Sequence, residues 1–133
     1  LKNTIDWASR SPNCWADKPA AIMSAGGGMG GGRSQYHLRQ SGVFLDLHFL
    51  NKPELFVRSF EPPTKFDSDG NLVHEDTRER IKALLLALRA WTFGFAPNER
   101  ANIKHFLAII LVIAHHNNTF CLFHLNVSFL MMY

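Results

Sequence analysis

Residues 18–40, KPAAIMSAGGGMGGGRSQYHLRQ, decide how the rest of the chain is read. Ala20 to Met23 is a short apolar strand, Gly26 to Gly32 is a glycine run interrupted only by Met29, and a polar helix starts near Arg33. A glycine loop at the carboxyl end of a strand lets backbone come close to a flat or phosphorylated ligand, because no Cβ intervenes and a positive φ costs little. In open α/β sheets the crevice at that edge is where ligands bind.

Three readings of the glycine run compete. A flexible low-complexity linker is the plainest, but the apolar strand before it and the Arg-Ser-Gln-Tyr helix start after it argue for an ordered turn. A dinucleotide fingerprint is the second: Gly26, Gly28 and Gly31 satisfy G-x-G-x-x-G, and Asp46 follows at the usual distance. A glycine run satisfies almost any glycine pattern, however, and Asp46 lies inside the apolar run Val43 to Leu50 rather than at a strand's end. The third reading is a loop at a flavin, and the flanking sequence bears on it.

Working outward, Leu1 to Ser9 reads as a helix with Leu1, Ile5 and Ala8 on one face. Arg10 to Pro19 reads as a loop, since Pro19 is out of place in a central strand. The helix from Arg33 to Ser41 is closed by Gly42 as a C-cap, and Val43 to Leu50 is a second strand that Glu54 to Arg58 extends beyond Pro53. Glu61 to Asn71 is a long loop. Its Asp67-Ser68-Asp69-Gly70-Asn71 segment is a turn rather than a calcium loop, because Gly70 comes too early for the EF-hand glycine and Arg78 stands where the bidentate Glu would be needed. From Asp76 a helix runs to Trp91, capped by Asp76 or Thr77, and its stripe Ile81, Leu84, Leu85, Leu88, Trp91 covers the sheet.

LKNTIDWASR at residues 1–10, the 18–40 stretch and FLDLHFLNKPELFV at residues 44–57 closely resemble the NADPH-dependent FMN reductase family, in its plant-type quinone reductase branch, related to bacterial chromate and quinone reductases. The resemblance covers about residues 1–92 and implies an α/β, flavodoxin-like, doubly wound parallel sheet, present only in part. About the last two strands and three helices of the domain are expected. Family members begin with a strand, a Ser-rich phosphate loop and two more strands leading to a Pro-Glu-Tyr-Asn turn. This sequence opens at the helix after that turn, so by the resemblance it is expected to be a C-terminal fragment of the family domain. The resemblance implies that Ser24, Ala25, Gly26, Gly27 and Gly28 border bound FMN. It also implies that Arg33, Tyr36 and Glu54 form a polar set at a subunit interface.

Residues 93–133 leave the family. Phe106 to Ala114 is an apolar run too short to span a bilayer, interrupted by His115-His116-Asn117-Asn118, and a Phe- and Leu-rich run follows. The segment is expected to be an apolar tail rather than an independent domain. A broken membrane anchor is the weaker reading, because the polar break falls where burial is costly.

Composition adds exclusions. With 47% hydrophobic and 19% charged residues, the 133-residue chain has the makings of one ordinary core. The net charge of +3 is scattered and paired with acids, so no stripe for a nucleic-acid backbone forms. Two cysteines, Cys14 and Cys121, make no disulfide framework, which suits a reducing, cytoplasmic location. None of the seven histidines is spaced with an acid or thiol as metal ligands are, so no metal site is expected. No nucleophile elbow or Ser-His-Asp set is apparent, and no catalytic side chain is assigned. That suits a flavoenzyme, whose cofactor carries the chemistry. The function implied is FMN-dependent two-electron reduction of a quinone by NAD(P)H in a dimer or tetramer. The alternative, from another class, is a non-catalytic remnant or a fragment that joins intact subunits.

Overall fold

The computed structural model describes residues 2–95, 109–116, 119–121 and 124–126. Its central element is strand β1, Lys18–Gly26, preceded by helix α1, Lys2–Ser9, and followed by helix α2, Gly32–Phe44. Strands β2, Leu47–Phe49, and β3, Leu55–Arg58, then lead through a long loop to helix α3, Glu75–Phe95. β2 and β3 lie along the same edge of β1, both parallel to it: Lys18 to Ala20 pair with Leu47 to Phe49, and Met23 to Gly26 with Leu55 to Arg58. Pro53, which has no N–H to donate, falls in the gap between them.

β1 is apolar at nearly every position because both of its faces are covered. On one face Ala20 and Ile22 join Trp15, Leu38, Leu45 and Leu47, with Ile5, Ala8 and Phe49 packed around them, so α1 and α2 lie there. On the other, Ala21, Leu50, Leu55 and Val57 meet Leu84 and Leu88 of α3. Leu84 and Leu88 are fully buried, each contributing about 1.5–3 kcal/mol. Helices on both faces of a parallel sheet are the doubly wound, flavodoxin-like arrangement, present in part. The expected stripe of α3 is the face that covers the sheet. Trp91, at its far end, is half-exposed and donates its Nε1–H to the carbonyl of His48 at 3.1 Å.

Several boundaries differ from the sequence reading. Pro19 lies inside β1, opposite His48, not in the preceding loop. Among the described residues pairing on the other edge of β1 starts at Ala20, and Pro19 is only the second residue of the strand, a position where a missing N–H is tolerated. α2 does not stop at Ser41: Gly42 is an interior helical residue, buried, and a Cβ there would stand 2.0 Å from Phe49 Cε2. Gly42 therefore allows helix and strand to approach, and the terminating left-handed residue is Asp46, with φ 61°. Val43 and Phe44, read as strand, are the exposed end of α2. The cap of α3 is neither Asp76 nor Thr77. His74 Nδ1 accepts the Thr77 N–H at 3.2 Å and the Thr77 hydroxyl at 2.9 Å, while its carbonyl takes the Arg78 N–H.

The 67–71 segment is a turn, as read. Asp67 Oδ1 accepts the N–H groups of Asn71 (2.7 Å) and Asp69 (3.0 Å), and Oδ2 accepts the Asn71 side-chain amide (3.0 Å). The Asn71 side chain first, and then these N–H groups, hold the Asp67 carboxyl below its usual 3.8. A carboxylate with a lowered folded pKa adds stability above its unfolded pKa and loses it as pH falls through the folded value. In urea unfolding at a series of acidic pH values, Asp67→Asn should therefore show a shallower loss of stability below pH 3.8 than the parent chain.

Part of the 93–133 segment adds to the sheet. α3 continues through Phe95, and Ile109–His116 forms strand β4, parallel to β1 from Ala20↔Ile109 to Ala25↔Ala114. Strands β5, Thr119–Cys121, and β6, His124–Asn126, pair antiparallel with β4. A run rich in Ile and Val suits a strand beside the second edge of β1 better than a helix. Among the described residues no helix is long and apolar enough to cross a membrane. Leu1, which the sequence placed on the buried face of α1, lies outside the described residues.

Candidate functional site

β1 and β3 end together. Gly26 pairs with Arg58, and Ser59 donates its N–H to the Gly26 carbonyl at 2.9 Å, so loops 27–31 and 59–74 leave the same carboxyl edge of the sheet. The glycine loop folds as two successive tight turns, Gly30 N–H to Gly27 O at 2.7 Å and Gly32 N–H to Met29 O at 2.9 Å. It is an ordered turn, not a linker.

The glycines differ in what they serve. Gly30 and Gly31 have φ of 55° and 81°, and a Cβ on either would press into the protein. At Gly30 it would stand 2.9 Å from Phe56 Cβ, and at Gly31 2.8 Å from Ser24 Cβ. Gly27 and Gly28 are exposed, neither has a left-handed φ, and a Cβ at either meets nothing within 4 Å. The fold demands glycine at the end of the loop, whereas at the tip its own packing makes no such demand. The N–H groups of Gly28 and Met29 have no acceptor among the described residues. The N-terminus of α2 starts from Gly31 with no side-chain cap, which leaves donors and a positive field at the loop.

Ser24 is buried inside β1, and its side chain is committed. Its Oγ donates to the Gly30 carbonyl at 2.5 Å and accepts from Gln35 Nε2 at 2.8 Å. The same Gln35 nitrogen donates to the Leu55 carbonyl at 2.9 Å. One buried amide on α2 thus ties β1, the glycine loop and β3 together. Gln35 was not singled out from the sequence, because a polar residue reads as solvent-facing. The signal was its position three residues before Leu38 and seven before Gly42, on the buried stripe of α2.

Beside the loop tip lies a cleft of about 490 Å³, bordered by Met29 of the loop, Gly32 and Tyr36 of α2, Phe56 of β3 and the charged side chains Arg58, Glu61, Lys65 and Arg80. Arg58 pairs with Glu61 at 3.2 Å. Lys65 Nζ donates to the carbonyls of Glu61 and Pro63. Arg80 has no hydrogen-bond or ion-pair partner among the described residues. Tyr36 therefore sits at the cleft. Arg33 is exposed on the first turn of α2, and Glu54 pairs with Lys52 at 3.2 Å just before β3. No hydrogen bond or ion pair joins any two of Arg33, Tyr36 and Glu54 among the described residues.

At the opposite end of the strands Asp17, Asp46 and His48 offer one ligand atom each within 4.8 Å of one another. The sequence reading saw no such histidine–acid grouping, because the three come from separate turns. They are brought together by the bond from Asp17 N–H to Asp46 O (2.9 Å) and by the His48–Asp17 pair at 3.1 Å. Cys14 is exposed, with a free thiol.

The model of the family described as NADPH-dependent FMN reductase matches residues 1–62. "Probable NADPH:quinone oxidoreductase 1" of Oryza sativa subsp. japonica is 75% identical over 92 residues, 69% of this chain and 47% of the relative. "NADPH:quinone oxidoreductase" of Arabidopsis thaliana is 71% identical over 92 residues, with the same two shares. An "NAD(P)H-dependent FMN reductase" of Pseudomonas aeruginosa is 50% identical over 93 residues, 68% of this chain and 49% of the relative. The chain spans about half the length of these relatives. The segment that builds β1, the glycine loop, α2, β2 and β3 is the part of the chain that matches the NADPH-dependent FMN reductase family.

Proposed function

We propose that this chain supplies the glycine-loop wall of an FMN site in an NAD(P)H-dependent quinone reductase. The observation that carries the reading is the loop tip: Gly27 and Gly28 are exposed at the carboxyl edge of a parallel sheet, at positions where the protein's own packing does not require glycine. Bound FMN would supply the redox chemistry, taking a hydride from the reduced nicotinamide and passing two electrons and a proton to a quinone, which draws its second proton from solvent.

The chain's own residues position and polarise. Gly27 and Gly28 let the backbone lie against a flat ring, and the N–H groups of Gly28 and Met29 are donors for ring oxygens. Ser24, Ala25 and Gly26 hold that tip on β1, with Ser24 acting through its bonds to Gly30 and Gln35 rather than by touching the ring. The uncapped end of α2 favours negative charge on the ring. The names of the rice and Arabidopsis relatives support NADPH as donor and a quinone as acceptor. The reading places residues 1–92 in the family domain, with 93–133 as an added segment. It gives the full-length protein a cytoplasmic location and a homo-oligomer, dimer or tetramer, with Arg33, Tyr36 and Glu54 near the subunit contact.

Titration of FMN fluorescence with the purified chain tests it. The chain should quench FMN with an affinity well below that of a full-length relative assayed alongside. Gly27→Val should abolish the quenching while leaving the circular dichroism unchanged, because its side chain enters only the space above the tip. Undiminished FMN binding by Gly27→Val would show that the loop is only a turn.

A further inference from the structure

The cleft beside the loop has walls suited to a particular kind of ligand. Tyr36 and Phe56 offer aromatic surface, and three cations, Arg58, Lys65 and Arg80, stand against a single carboxylate, Glu61. Glu61 is already matched by Arg58, and Lys65 is directed at backbone carbonyls. Arg80 is an exposed guanidinium at a concave surface, with no anion assigned to it among the described residues. A fork of guanidinium donors beside aromatic rings recognises a phosphate carried on a planar base. The cleft is contiguous with the glycine loop through Met29 and Gly32, so a ligand with one end at the loop tip has its other end within reach of Arg80.

We infer that this cleft binds the phosphorylated adenosine end of the reduced pyridine nucleotide, with Arg80 on a ribose phosphate and Phe56 against the base. The inference deepens the proposed function and rests on it for the identity of the nucleotide. The chemistry, a phosphate on a planar nucleoside, is shared by FMN itself, and the experiment separates the two. In this arrangement Arg80 is a specificity residue for the extra 2′-phosphate, since an unpaired guanidinium gains most from a dianion. Screening by salt weakens so exposed a contact, so binding should fall as ionic strength rises.

The test is calorimetric titration of the 133-residue chain at low ionic strength with adenosine 2′,5′-bisphosphate, adenosine 5′-monophosphate and FMN as separate probes. The bisphosphate should bind more tightly than the monophosphate. Arg80→Ala should weaken the bisphosphate about tenfold, the loss of one charge-assisted contact. The same change should leave the monophosphate and FMN within about twofold, too small a difference to reflect a lost charge-assisted contact. Lys82→Ala, on the same helix but paired with Glu79 and away from the cleft, is the matched control and should change none of the three. Equal binding of both adenosine probes, or a bisphosphate affinity indifferent to Arg80→Ala, overturns the inference even if FMN binds as proposed. An Arg80→Ala effect confined to FMN overturns it too, and assigns the cleft to the flavin phosphate. A chain that takes the bisphosphate in an Arg80-dependent manner but fails to take FMN sustains the cleft and refutes the flavin wall.

Discussion

Gly30→Val should lower the free energy of unfolding by about 2–5 kcal/mol, the sum of a left-handed backbone forced on a branched residue and a side chain driven into a packed wall. The φ of 55° accounts for the first part. The second follows from where the new Cβ lands: 2.9 Å from Phe56 Cβ and 3.0 Å from both Phe56 C and Val57 N. Backbone atoms of a paired strand do not rotate away as a lysine tip would, so relief requires β3 to move off β1. Gly27→Ala, three residues earlier, should stay within about 0.5–1 kcal/mol of the parent chain, since a compatible alanine chiefly restricts the unfolded state. Urea unfolding followed by circular dichroism compares the two directly. Equal losses at both positions would mean that the tip is packed as tightly as the base.

Gln35→Ala is the second large effect. The amide is buried and anchors three segments through one nitrogen, so its removal leaves the Leu55 carbonyl without that donor and opens a void beneath the loop. Cavity formation and an unsatisfied buried carbonyl together should cost about 2–4 kcal/mol. Ser24→Ala should cost less, about 1–2 kcal/mol, since it loses the bond to the Gly30 carbonyl but leaves Gln35 bonded to Leu55. The pair is readable as a double-mutant cycle, with strong non-additivity expected because the two side chains share a hydrogen bond. A Gln35→Ala loss below 1 kcal/mol would show that the loop is held by the backbone turns alone.

Much of this architecture is legible in the sequence where pattern and location agree. The stripe from Ile81 to Trp91 has helical period and one covered face, so α3 was readable as a sheet-covering helix. The glycine loop between an apolar strand and a polar helix was equally plain. What the sequence concealed are features that only tertiary proximity creates. Gly42 looks like a helix terminator, and only the ring of Phe49 pressed against it makes it an interior packing glycine. Pro19 looks like a strand breaker, and its place as the second residue of β1 accommodates it. His74 caps α3 with a side chain not expected in that role, ahead of Asp76 and Thr77, which looked better suited. At the site, the sequence pointed to residues 24–28 as a unit. The structure divides them into a buried stem and an exposed tip, and adds Gln35 and the cleft around Arg80, whose residues come from α2, β3, the following loop and α3.

The two edges of β1 are filled from very different distances along the chain, and this sets the order of assembly. Lys18 to Ala20 find Leu47 to Phe49 across a single helical crossover, whereas Ala20 to Ala25 meet Ile109 to Ala114 only after α2, β2, β3 and α3 have been traversed. Closing the longer loop costs more entropy and comes later. Until Ile109 to Ala114 dock, that edge of β1 lacks β4, and a bare strand edge accepts any chain that offers complementary amides. Crowding at that moment pits the molecule's own distant strand against that of its neighbour.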